Sequence, residues 1–191
     1  MRHRNLLPGK AKALRLVARE AALGRPVGLT GVRARNNRAM SGLGAGKRSG
    51  LIHAIAVGGF VAGSFDLIAA FISFGWGVPR AIAGGLLGRP AFQGGTATWI
   101  LGVVLHYFIA YSAAAAYCLT SQRLSFLKEH FLICGMFFGM GFFLVMNLIV
   151  LPLSGLHAMG PYQLRGLIQG ILIHMILIGV PIAYCARKFA R

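Results

Sequence analysis

Four polar side chains stand out in this sequence, because each lies deep in a long apolar stretch: Asp66, His106, Asn147 and His174. A carboxylic acid and an imidazole can exchange a proton near neutral pH, and a carboxylate can also hold a cation. The same groups can serve structure alone, since a carboxylate hydrogen-bonded to an imidazole would clasp two helices together. Two histidines on separate helices could also act as axial ligands of a haem, although no CxxCH or HxxxH pattern supports this. No HExxH, GxSxG or phosphate-loop pattern is present, and "GLGAGK" (residues 42–47) lacks phosphate-loop spacing. The expectation is therefore a non-enzymatic protein with no catalytic residue, no metal site and no cofactor.

Segments able to position these residues are easily found. The 191 residues are 57% hydrophobic and only 12% charged, with a mean hydropathy of +0.69. A soluble domain carries about 25% charged residues, so too few polar groups remain here to cover a water-facing surface. Four segments reach the roughly 20 apolar residues that span a bilayer: 51–75, 96–120, 131–153 and 167–186. With a rise of about 1.5 Å per residue, Asp66 and Asn147 lie roughly 22 and 24 Å from the inner ends of their segments. His106 and His174 lie roughly 15 and 10 Å from the outer ends of theirs. All four side chains thus fall between the middle and the outer face. A central charge costs about 2.5–3.5 kcal/mol on insertion scales, so the four are expected to face the bundle interior and meet.

Small residues point the same way. Gly59, Gly63 and Asp66 share a helical stripe; so do Trp99, Gly102, His106, Ala110 and Ala113, and so do Gly170, His174 and Pro181. Such stripes let helices approach closely. Met136, Met140 and Asn147 form a fourth stripe without small residues.

Charge sets the threading. Residues 1–50 hold 12 of the 20 Lys and Arg and a single acid, Glu20. With this tail inside, 17 basic residues lie on the inner side; only Arg80, Arg89 and Arg165 lie outside. Both termini are therefore expected in the cytoplasm of a bacterium, with the body in the inner membrane. Trp76, Trp99 and Tyr162 then fall at outer ends, and Tyr117 and Tyr184 at inner ends. The basic arm is expected to be unstructured and to bind anionic lipid through Arg33, Arg35, Arg38, Lys47 and Arg48. It has no aromatic residue on which a base could stack, which argues against nucleic acid. Met40 offers an alternative start.

Residues 76–95, "WGVPRAIAGGLLGRPAFQGG", are long and apolar for a loop. Pro79 suits a first helical turn and Pro90 would end the helix, giving an interfacial or re-entrant helix too short to span. It would act either as a lid or as a seal on the bundle. The three cysteines, Cys118, Cys134 and Cys185, form no CxxC pair and read as apolar filler.

"AGGLLGRPAFQGG" (83–95), "LGVVLHYFIAYSAAAAY" (101–117) and "VMNLIVLPLSGL" (145–156) together resemble a family of conserved hypothetical bacterial inner-membrane proteins with four helices. The resemblance covers about residues 51–187 and implies a helical membrane fold. The family has no established activity, so no functional residue carries over. The expected architecture is all-α: a four-helix transmembrane bundle (51–191) with a short interfacial helix between helices 1 and 2, preceded by the basic arm (1–50). Two functions stay open. One is a structural or accessory membrane subunit. The other is a small proton- or cation-coupled transporter or channel-like subunit, which would have to self-associate or join a larger membrane complex.

Overall fold

The structure is a computed structural model. It describes Arg15 and Arg19, residues 29–158 and residues 163–190; for residues 29–45 it describes the backbone alone. The chain divides into two compact units, residues 1–45 and 46–191. Of the first, Arg15, Arg19 and the backbone from residue 29 onward are described, all helical, and the stretch between Pro26 and Pro79 is free of proline. The second carries the membrane body, and it begins slightly before the expected boundary at residue 50.

Among the described residues there is no strand. Four helices are long and apolar enough to cross a membrane: α1 (Gly46–Phe74), α3 (Thr96–Arg123), α5 (Phe131–Leu153) and α6 (Leu164–Phe189). A shorter apolar helix, α2 (Val78–Leu87), sits between the first two, and one turn, α4 (Phe126–Glu129), joins α3 to α5. Most of each spanning helix stays uncovered, with large apolar side chains such as Phe60, Ile72, Phe108 and Phe137 turned outward. Water would not tolerate that surface; hydrocarbon does. The fold is that of a multi-pass membrane protein.

Helices in lipid gain little from hiding apolar surface from one another, so close packing of small residues must hold them. α5 and α6 touch backbone to backbone. A Cβ on Gly139 would collide with the carbonyl oxygen of His174, and one on Gly179 would collide with that of Gly135. The buried stripe of α5 is therefore Gly135, Gly139 and Phe143, one residue round from the methionine stripe read from the sequence. The small residues win because only they permit this approach. α1 meets α3 through Gly59 and Gly63, which lie against Tyr111, Tyr107 and Ala110, and meets α6 at Gly58, against Ile182 and Cys185.

The two ends of the bundle differ. At one end lie Lys47, Arg48, Arg123, Lys128, Arg187 and Lys188, and the carbonyl of Ala190 accepts from Gln122 Nε2 (3.0 Å) and Lys128 Nζ (3.1 Å). We call this the basic end. Tyr117, expected at the interface, is buried there in the core, and its hydroxyl donates to the Leu127 carbonyl at 2.9 Å. The partner is close because α4 folds back over the end of α3. Tyr184 is half exposed, as an interfacial tyrosine should be; Tyr162 lies outside the described residues. At the opposite, tryptophan end, Trp99 Nε1 donates to the Trp76 carbonyl at 3.0 Å.

α2 closes the tryptophan end of α3. Pro79 lies in its first turn, and Gly88, at φ 74°, ends it before Pro90 is reached. Its buried face is Pro79, Ala83 and Gly84. Gly102 of α3 lies directly under the Pro79 carbonyl, where a Cβ has no room. Gly155 N–H donates to Gly85 O at 2.7 Å, tying α2 to the turn after α5.

The α5–α6 crossing gives a direct test. Gly139→Leu forces the two backbones apart and should cost about 1–3 kcal/mol, read as a lowered unfolding midpoint in detergent. Gly141→Leu, where a Cβ meets nothing within 4 Å, should leave the midpoint unchanged.

Candidate functional site

Two of the spanning helices are not regular. α5 widens to a π-helix over Met146–Val150, and α6 does so over His174–Gly179. Each widened turn runs through one further residue into a proline, Pro152 in α5 and Pro181 in α6. Proline has no N–H, and its ring clashes with the carbonyl four residues back, here Leu148 and Leu177. A wider turn relieves the clash, at the cost of disturbing the hydrogen-bond ladder. Within hydrocarbon no water can repair that ladder.

The polar residues of α5 and α6 stand at these disturbed turns. At the start of the turn in α5, Met146 N–H is shared between the carbonyls of Phe142 and Phe143, and Asn147 Nδ2 donates to Phe143 O at 2.9 Å. In α6, His174 N–H is shared between Gly170 O and Ile171 O, and His174 Nδ1 donates to Gly170 O at 2.9 Å. Asn147 and His174 thus have a structural task. Among the described residues, no buried side-chain nitrogen or oxygen is left unsatisfied.

They also line a common cavity of about 510 Å³, bounded by α1, α5 and α6. α1 contributes Asp66, Ala69, Ala70, Ser73 and Phe74; α5 contributes Phe143, Asn147 and Leu151. The wall of α6 carries Gly166, Leu167, Gln169, Gly170, Ile173 and His174, preceded by Gln163. The spacings of three and four residues on every wall are those of a single helix face. Nearer the tryptophan end, Gln169 Nε2 donates to Ser73 Oγ at 3.3 Å, linking α1 to α6 at the cavity. No residue of α2 lines the cavity, so the short helix packs as a seal on α3.

Of the four residues singled out in the sequence, Asp66, Asn147 and His174 line this cavity and His106 does not. His106 is buried on α3, and its Nε2 donates to the Gly63 carbonyl of α1 at 2.8 Å. Beside it, Ser64 Oγ and Tyr107 Oη share a hydrogen bond of 2.9 Å. The clasp between α1 and α3 is thus imidazole to backbone. The carboxylate of Asp66, one turn further along, is half buried, and among the described residues it has no hydrogen-bond or ion-pair partner. The two imidazoles considered as a haem pair each spend one ring nitrogen on a backbone carbonyl, and the described residues contain no group of three or more His, Cys, Asp or Glu that could hold a metal ion.

Sequence reasoning missed Ser73, Gln163 and Gln169. Ser73 lies seven residues after Asp66 and so shares its face; the two glutamines fall at the apolar segment's margin, where polar residues draw no notice. Of the basic residues assigned to lipid, Lys47 and Arg48 are exposed at the basic end, and the side chains of Arg33, Arg35 and Arg38 lie outside the described residues. Comparison with known proteins finds no family model, no curated protein and no solved structure that matches the chain.

Removing the imidazole of His106 removes the hydrogen bond that joins α3 to the Gly63 carbonyl of α1. His106→Phe should lower stability by about 1 kcal/mol, the scale of interhelical hydrogen bonds in membranes, measured by reversible unfolding in mixed micelles. His106→Gln, which keeps a donor, should recover part of the loss.

Proposed function

We propose that the chain is a small, non-enzymatic subunit of a bacterial inner membrane, with both ends in the cytoplasm, and that its cavity is a site of proton or cation exchange. One observation carries this reading: an acid, an amide and an imidazole from three different helices line the same cavity. A structural clasp would consume the carboxylate, yet Asp66 has no partner among the described residues. An acid in a spanning helix is costly, and one that holds nothing together needs another reason to be there. His174 adds a second proton-accepting group: with Nδ1–H committed to Gly170 O, the neutral ring keeps its lone pair on Nε2. π turns commonly mark functional positions in helices, and two of them flank this cavity. One four-helix chain offers little room for a continuous path, so the working form would be an oligomer or part of a larger membrane complex. Lys47 and Arg48 suit contact with anionic head groups.

A second reading, that of a structural or accessory subunit, draws on the hydrogen bonds from α3 to Gly63 and Ser64. They join α1 to α3, which supports a structural role for intramembrane polar groups in this chain. The two readings differ in outcome. In proteoliposomes with an imposed pH gradient, the wild type should dissipate the gradient, and Asp66→Asn should abolish that flux while leaving the unfolding midpoint unchanged. A wild type with no flux, together with an Asp66→Asn variant of lowered stability, would favour the structural reading.

A further inference from the structure

We infer that the cavity's ligand is an organic ammonium: a singly charged amine with an apolar body. The inference rests on the exchange reading above and names what is exchanged.

Charge comes first. Among the described residues that line the cavity, Asp66 is the only acid, and there is no lysine or arginine. Nothing there would neutralise an anion.

Hydrogen bonding sharpens the choice. His174 Nδ1–H is committed to the Gly170 carbonyl, and a carbonyl can only accept, so the tautomer is fixed and neutral Nε2 is an acceptor. Asn147 spends a donor on the Phe143 carbonyl. Gln169 spends its Nε2 on Ser73 Oγ, which leaves its amide oxygen as an acceptor. His174 Nε2 and the Gln169 amide oxygen thus stand as acceptors in the same lining as the Asp66 carboxylate. An ammonium, with its positive charge and N–H donors, fits this set; a carboxylate or a phosphate would be repelled by Asp66.

Size and polarity set the rest. A cavity of about 510 Å³ is far larger than a bare alkali ion needs. Its other walls are Ala69, Ala70, Phe143, Leu151, Leu167 and Ile173. These would cover an apolar body. The ligand's charge would sit at Asp66, and its body against α5 and α6.

The test uses purified full-length protein in nanodiscs of neutral lipid. The probe is 2-phenylethylammonium, with 2-phenylethanol and 3-phenylpropanoate as neutral and anionic counterparts. A hydrophobic carbodiimide should modify Asp66 of the wild type, located by peptide mass, and the amine should protect it while the alcohol and the acid do not. By direct binding, Asp66→Asn should weaken the amine about 30-fold, the scale for removing one partner of a buried charge pair, and Asp66→Glu should retain it. Ala70→Phe, which fills the wall and spares the carboxylate, should also exclude it. Equal binding of all three probes, or equal binding to Asp66→Asn, would mean partitioning into lipid and would overturn the inference. Absence of amine binding, with Asp66-dependent proton flux still present, would overturn the ligand class and leave the exchange function standing. Absence of both would remove both.

Discussion

Backbone groups in hydrocarbon have no water to turn to, and this constraint governs the molecule more than any single contact. It bears hardest where α5 and α6 meet proline. Pro152 and Pro181 each remove a donor from a helix that has no other source, and each helix answers by widening. The polar side chains follow from that answer. Asn147 and His174 stand where the widened turns begin and give a donor to the carbonyl four residues back. Features that look like a site dropped into a bundle are therefore also tied to the backbone, each side-chain donor adding to a carbonyl that already receives an N–H at the edge of its widened turn.

The same places hold the helices together. Gly139 is bare so that α5 can lie against the His174 carbonyl, and Gly179 is bare so that α6 can lie against Gly135. The crossing and the π turn of α6 share His174 and Gly179, which places the polar cavity beside a closely packed part of the bundle. α1 is held differently, through His106 to Gly63 and Tyr107 to Ser64. The adjoining face, with Asp66 and Ser73, borders the cavity.

Much of this was legible in the sequence because lipid simplifies the signal. Four long apolar runs give four spanning helices, and Pro79 with Gly88 and Pro90 delimit α2. The rarity of polar residues in those runs made Asp66, His106, Asn147 and His174 conspicuous. Depth along a helix could be estimated, and it placed them at comparable levels. Azimuth could not, because it depends on which neighbour each face meets. The packed stripe of α5 is Gly135, Gly139 and Phe143 and not the methionines, because only bare positions let the α6 backbone come so close. His106 failed to join the others for a related reason: rarity shows that a side chain needs a partner, but not that the partner is another side chain. At Gly63 the partner is a backbone carbonyl, in a place where α3 packs close enough to put Ala110 and Tyr107 close to where a Cβ would stand. Ser73, Gln163 and Gln169 were hidden by their position near the helix ends, where polarity is ordinary.

The bond from His174 to its own helix has a consequence for how the imidazole can behave. A ring whose Nδ1 proton is tied to the Gly170 carbonyl cannot turn over without opening a backbone-supporting bond, so its two nitrogens are not interchangeable. The choice of tautomer, which most histidines leave to solvent, is made here by the covalent order of the chain. A nitrogen-15 spectrum of the ring would distinguish this fixed tautomer from a freely tumbling imidazole.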